Sequence, residues 1–268
     1  MSKNKVLTAI LSVLVILFVT VSPAGAVQYG QPDGEGHPFV GLVVFYADED
    51  ATQPLWRCTG TLIAPTVFLT AGHCAESFNA VRAQVYFQSD ATGTGYPYTG
   101  GVLGEPISHP EWNGSLTIPN THDVGVVILD APVTDRGFAE LATAGLLDSY
   151  GKQVGQQDKS FKVVGYGLQG VKPEYISLKE RYVGWTKVVN LKSSLTDGYN
   201  IQLSSNPGHW SGGTCFGDSG GPIFLNDTNI VVAVNSFVLN ENCKGSGFGF
   251  RVDTPGAREF LGNFVTLP

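Results

Sequence analysis

Three segments of the sequence place a histidine, an aspartate and a serine, in that order, beside predicted strand ends. His73 follows the apolar stretch 67–70, Asp123 precedes the apolar stretch 124–129, and Ser219 lies in a Gly-Asp-Ser-Gly-Gly-Pro motif. A neutral imidazole can remove a serine proton, and a buried carboxylate orients that imidazole and stabilises its charged form. These residue types therefore predict a nucleophilic triad of His73, Asp123 and Ser219.

Glycines around the serine indicate where negative charge would be stabilised during the reaction. The backbone amides of Gly217 and Ser219 are predicted to converge on a developing oxyanion, and one such donor contributes roughly 3–4 kcal/mol. An α/β-hydrolase carries its histidine after its serine, whereas all five histidines here precede Ser219. A subtilisin-like order of Asp, His and Ser on an α/β scaffold is excluded as well.

The elements that must position these residues are predicted to be short strands. The chain has 268 residues with 34 glycines and 15 prolines, and about a dozen apolar stretches recur between turn signals. Helical periodicity is confined to a weak pattern over 138–147 and to the C-terminal stretch 255–264. This pattern predicts an all-β barrel or sandwich, with a seam near 149–159 between two sets of strands.

Composition and charge exclude several classes of protein. Apolar residues make up 43% of the chain and charged residues 15%, which is incompatible with a disordered polyelectrolyte. The net charge is −7 and no basic patch stands out, so we expect no nucleic-acid partner.

The first 26 residues have the layout of a secretory signal peptide. Lys3 and Lys5 precede an apolar run, and Ala24-Gly25-Ala26 is a small-x-small cleavage site. We therefore predict a secreted protein, residues 27–268, with no membrane association after cleavage. Export makes disulfides the expected state of the four cysteines, for which three pairings are possible: Cys58, Cys74, Cys215 and Cys243.

At its motifs the sequence resembles the chymotrypsin/trypsin-like serine proteases, with features similar to bacterial secreted members. The resemblance extends over about residues 27–268 and rests on six segments: 58–63, 70–74, 108–112, 164–167, 217–222 and 235–237. It implies two six-stranded antiparallel β-barrels followed by a C-terminal helix. It also implies a secreted endopeptidase that acts on protein or peptide substrates through the triad and an acyl-enzyme.

The resemblance further assigns the disulfides and the substrate pocket. The sequence-near pairings, Cys58–Cys74 and Cys215–Cys243, are favoured. Gly213 stands where many members carry an aspartate, and Val238 stands where many carry glycine, which together imply a preference for small to medium apolar residues. The implied substrate-binding residues are Gly213, Ser236, Phe237, Val238 and Gly247.

Family members are activated by a free N-terminus that pairs with the aspartate before the catalytic serine, here Asp218. No Lys or Arg lies between Lys5 and Arg57, so a trypsin-type activation cut is absent. The resemblance therefore implies that signal cleavage itself frees Val27 for this pairing. The alternative is a free terminus, with Asp218 satisfied by local backbone donors.

A second interpretation is that the protein has this fold but no catalytic activity. A catalytically inactive homologue would act as a secreted binding protein, although such proteins usually lose the histidine, the serine or the adjacent glycine. We expect no cofactor, no metal and a monomer; Asp90 with nearby carbonyls is the alternative for calcium, and no dense carboxylate spacing supports it. His109 and His122 are interpreted as surface or supporting groups, and His209 as a candidate lining of the pocket.

Overall fold

The computed structural model describes residues 27–76, 79–91, 100–152, 160–171, 175–206 and 212–268. Strands dominate this part of the chain, and its two α-helices are short. The strands are β1 (Gln31–Pro32), β2 (Val40–Tyr46), β3 (Pro54–Ala64), β4 (Val67–Thr70), β5 (Arg82–Tyr86), β6 (Val102–Ser108), β7 (Gly125–Leu129), β8 (Glu140–Leu141), β9 (Ser160–Gly165), β10 (Tyr182–Asn190), β11 (Asn200–Ser205), β12 (Pro222–Leu225), β13 (Ile230–Val238) and β14 (Gly245–Arg251). The helices are α1 (Gly72–Glu76), α2 (Pro255–Leu261) and a 3₁₀ helix (Leu146–Lys152).

The first six long strands close into an antiparallel barrel. Its order is β2-β3-β4-β7-β6-β5, and β5 pairs back onto β2. All seven residues of β2 are buried, as its uninterrupted apolar sequence predicts. Gly60 permits the close approach of β3 and β4, because a Cβ there would lie 2.3 Å from Phe68 Cε1.

The remaining strands form a second closed antiparallel barrel. Its ring runs β9-β10-β11-β14-β13-β12 and closes where β12 pairs with β9. The short strand β1 adds to β10, and β8 adds in parallel to β13. Two closed six-stranded barrels with a short C-terminal helix confirm the predicted fold class.

A buried arginine joins the two barrels. The Arg181 side chain is fully buried, and its Nε donates to Asp33 Oδ2 at 2.8 Å. Its Nη1 donates to the carbonyl oxygens of Val40 and Phe87, both at 3.1 Å, and to the Tyr166 hydroxyl at 3.2 Å. Removing one member of such a buried pair typically costs about 3–5 kcal/mol, because it leaves the other charge unpaired. The hydrogen bonds to Val40 and Phe87, which lie in or next to strands of the first barrel, are the contacts that link the two barrels.

Of the two helical patterns in the sequence, the C-terminal one forms an α-helix and the first half of the other does not. Helix α2 begins with Pro255 in its first turn and confirms the C-terminal prediction, although it ends at Leu261. The weak helical pattern over 138–147 was wrong for its first half: Glu140–Leu141 is a strand, because it pairs with Ile230 and Val231. The predicted signal peptide and residues 153–159 of the predicted seam lie outside the described residues. No helix among the described segments has the length and apolarity needed to cross a membrane.

Candidate active site

His73 and Asp123 lie beside the ends of two adjacent strands of the first barrel. His73 lies on α1 directly after β4, and Asp123 precedes β7, which pairs with β4. His73 Nδ1 lies 2.9 Å from Asp123 Oδ2, and the His73 backbone amide donates to Asp123 Oδ1 at 2.7 Å. The carboxylate therefore contacts both the ring and the backbone of His73, which fixes the ring orientation.

Asp123 is held in its ionised form despite complete burial. Burial raises the pKa of Asp123, but the His73 ring, its hydrogen bonds and a hydrogen bond from the Ser236 hydroxyl lower that pKa below its ordinary value. Burial lowers the pKa of His73, and the Asp123 charge outweighs this so that the pKa of His73 is raised. Ser236 was predicted only as a substrate-binding residue; the structure also places its hydroxyl on the Asp123 carboxylate.

Ser219 is positioned by the second barrel, in a tight turn that leads into β12. The turn is pinned by three backbone hydrogen bonds: Thr59 N to Ser219 O at 2.9 Å, Gly220 N to Asn235 O at 2.7 Å and Gly221 N to Asp218 O at 2.9 Å. Gly220 has φ +76°, and a Cβ there would lie 2.1 Å from Thr70 Oγ1. Only glycine fits this position, so the motif's second glycine brings the serine turn against the first barrel.

The amides of Gly217 and Ser219 are available for a ligand. Neither N–H group donates to any described residue, whereas the neighbouring Asp218 and Gly220 amides are both bonded. Gly217 has φ +96°, and its carbonyl oxygen accepts a hydrogen bond from Thr59 Oγ1 at 2.8 Å. An oxyanion hole requires donors of this kind, which have no partner among the described residues and lie beside a serine hydroxyl.

A pocket of about 240 Å³ opens beside Ser219 and His73. Among its described lining residues only His73 is ionisable, and no carboxylate faces the pocket. Gly213 and Gly247 are set back from it: Gly213 pairs with Gln28, and a Cβ at Gly247 would lie 2.6 Å from Thr214 Oγ1. His209 lies outside the described residues. The other lining residues are Leu116, Thr214, Cys215, Phe216, Asn235, Ser236, Phe237 and Val238.

Asp218 is a buried carboxylate with no ion-pair partner in the part of the chain that the structure describes. It accepts hydrogen bonds from the amides of Gly167 at 2.8 Å and Cys215 at 2.9 Å, and no described cation lies within 4 Å. Burial raises the pKa of Asp218 to about 7. Val27 is fully buried, and the next residue, Gln28, exchanges two backbone hydrogen bonds with Gly213 close by.

The four cysteines form the two sequence-near disulfides, Cys58–Cys74 and Cys215–Cys243. Cys58 and Cys74 lie beside His73, but as disulfide sulfurs they are not available as thiolate ligands for a metal. A second group of potential ligands is formed by His109, Glu111 and His122, the last of which directly precedes Asp123.

Comparison with known proteins places this arrangement in a family. The sequence model of the trypsin family matches residues 36–257. The chain therefore belongs to the trypsin-like serine protease family.

Individual relatives agree with that assignment. Brachyurin from Leptuca pugilator is 32% identical over 199 residues, covering 71% of this chain and 79% of the relative. Serine protease 1 from Drosophila melanogaster is 28% identical over 233 residues, covering 82% and 78%. Chymotrypsin-like elastase family member 1 from Macaca fascicularis is 26% identical over 196 residues, covering 70% and 71%.

A solved structure supports the fold. The structure titled HL collagenase superposes with a TM-score of 0.65 at 22% identity, covering 86% of this chain and 94% of that chain. The expected likeness to bacterial members is not supported, because the relatives named above are crustacean, insect and mammalian proteins.

Proposed function

We propose that this protein is a secreted serine endopeptidase that uses His73, Asp123 and Ser219. One observation carries the proposal: the fully buried Asp123 carboxylate contacts the His73 ring, and His73 lines the same pocket as Ser219. Family membership makes hydrolysis of a peptide bond the reaction of first choice.

In the proposed reaction the Ser219 hydroxyl attacks the scissile carbonyl carbon while His73 Nε2 takes the hydroxyl proton. The carbonyl oxygen becomes an oxyanion that accepts hydrogen bonds from the Gly217 and Ser219 amides. The C–N bond then breaks as His73 returns the proton to the leaving amine, and Ser219 retains the acyl group. A water molecule then attacks the acyl carbonyl carbon while His73 takes its proton. The ester bond to Ser219 breaks, His73 returns the proton to the serine oxygen, and the carboxylic acid is released.

The pocket favours apolar side chains before the scissile bond. A substrate Lys or Arg would bury a charge with no carboxylate among the described lining residues, which costs several kcal/mol. Val238 narrows the space that glycine would leave open. We expect cleavage after small to medium apolar residues, measured by mass spectrometry on a peptide library. A library in which most cuts follow Arg or Lys contradicts this assignment.

We also propose that signal cleavage after Ala26 produces the active enzyme directly. Val27 is buried, and Gln28 Nε2 lies 4.0 Å from Cys215 Sγ, while the Cys215 amide donates to Asp218; these contacts support the proposal. The raised pKa of Asp218 supports the need for a cation there. The proposed substrates are extracellular proteins or peptides, and the proposed active species is a monomer.

The experiment that tests the activity is labelling with a fluorophosphonate, which reacts with an activated serine. Wild-type protein is expected to label at Ser219, whereas Ser219→Ala is expected not to label. The matched control is Ser149→Ala, which removes an exposed hydroxyl in the 3₁₀ helix outside the pocket lining and should label as wild type. Well-folded wild-type protein that does not label refutes the enzyme assignment and favours the inactive binding protein.

A further inference from the structure

A group of three side chains beside the candidate triad has the composition of a metal site. His109, Glu111 and His122 each bring one ligand atom to within 4.8 Å of the others. His109 and Glu111 follow β6, and His122 precedes Asp123, so the group joins two separate segments of the first barrel. We propose that this histidine–glutamate cluster binds a single Zn²⁺ ion. The proposal does not rest on the peptidase activity.

The spacing of the cluster fits a tetrahedral ion. His122 Nδ1 and Glu111 Oε2 are 3.4 Å apart, which is longer than an ordinary hydrogen bond. Zinc bonds of about 2.1 Å hold the ligand atoms of a tetrahedron about 3.4 Å apart. The two histidine rings lie close together, with their centroids separated by 4.9 Å.

His109 is already in the tautomer that a metal requires. Its Nδ1 accepts the Glu111 amide hydrogen at 3.1 Å, so Nδ1 is the ring nitrogen that carries the lone pair. Zinc would replace the Glu111 amide on Nδ1, and that amide lies in an exposed residue that water can reach.

The donor set of the cluster favours zinc over calcium or magnesium. Two imidazoles and one carboxylate suit zinc, while calcium and magnesium prefer sets made only of oxygen atoms. A water molecule would occupy the fourth position.

Zinc titration followed by isothermal calorimetry tests the proposal on the mature chain. Wild-type protein is expected to bind one Zn²⁺, and CaCl₂ is expected to give no binding heat at this cluster. Loss of a ligand weakens zinc binding at least as much as loss of an outer partner, so Glu111→Gln and His122→Gln should each bind at least about tenfold more weakly.

Glu259→Gln is the matched control, because Glu259 acts on His109 through its charge and lies outside the cluster. It removes the same carboxylate charge as Glu111→Gln and is expected to bind zinc as wild type. Glu111 is 68% exposed, so its variant retains the fold even where His122→Gln does not. No saturable binding below about 1 mM, or unchanged affinity in Glu111→Gln, overturns the proposal.

Discussion

Extending the chain by two small residues before Val27 tests whether its free amine completes the active site. Asp218 is fully buried and accepts only backbone hydrogen bonds among the described residues. The pKa of Asp218 is raised from 3.8 to about 7. Because one pKa unit corresponds to about 1.4 kcal/mol, ionising Asp218 in this environment costs about 4 kcal/mol more than in water.

An inserted ammonium group would offset part of that cost and hold the turn that carries Gly217 and Ser219. A cost of about 4 kcal/mol corresponds to about a thousandfold in population, which sets an upper limit on the effect. We therefore expect the extension to lower kcat/KM by at least tenfold and at most about a thousandfold. The assay is hydrolysis of a chromogenic peptide near pH 7, with active sites counted by fluorophosphonate.

The dependence of stability on pH distinguishes the two forms. In the extended form Asp218 has a folded pKa above its unfolded value, so stability should fall as pH rises from about 4 to about 7. In the processed form the amine should have a folded pKa above its free value of about 8. Its stabilising contribution is then complete below about pH 8 and is lost as pH rises through the raised pKa.

Two controls isolate the ion pair. A fusion whose removal leaves Val27 as the first residue should restore full activity to the extended protein. In an Asp218→Asn background, the same extension should produce no further loss, because the partner carboxylate is already absent. Full activity with two extra residues before Val27 would refute the reasoning and leave Asp218 satisfied by its backbone donors.

Four further predictions follow from the same contacts. Asp123→Asn should lower kcat by a factor on the order of 10⁴ and shift the acid limb of the kcat/KM profile to lower pH, because Asp123 raises the pKa of His73. Gly220→Ala should cost about 3 kcal/mol of unfolding free energy, measured by urea denaturation, because its φ is positive and a Cβ there would clash. Replacing Cys215 and Cys243 by serine should impair activity, measured as kcat/KM, more than folding, measured as the melting temperature. A large loss of melting temperature with nearly unchanged kcat/KM contradicts a role of this disulfide in bracing the pocket. Zinc bound at the histidine–glutamate cluster should lower kcat/KM, and EDTA should restore it, because the charge of the ion disfavours the imidazolium of His73.

Sequence patterns predicted the fold where one local signal decided the outcome. The apolar stretch that became β2 is buried along its whole length, and Pro255 marks the start of α2. The helix prediction around Glu140 was wrong because the conformation of this stretch depends on a partner distant in sequence, Ile230, with which it pairs as a strand. The buried Arg181 was missed for the same reason, since its partners come from both barrels.

Motifs predicted the residue types of the candidate site but not all of their roles. Ser236 was recognised from a substrate-binding strand, and its hydroxyl contact to Asp123 became visible only when the barrels were packed together. The availability of the Gly217 amide depends on where every neighbouring acceptor lies. Such information is absent from a local pattern, because it is a property of the assembled surroundings.

The histidine–glutamate cluster illustrates how a site can be invisible in sequence and still be built from recognisable parts. His109 and Glu111 are separated from His122 by a segment that carries no metal-binding spacing. Their approach depends on the pairing of β6 with β7, which brings the end of one strand beside the start of the next. His109 N bonds to Val124 O at 2.9 Å and fixes that register directly beside Asp123. The same pairing therefore positions the Asp123 carboxylate and the three candidate ligand atoms, so an ion bound at the cluster would lie on a part of the barrel that also holds His73.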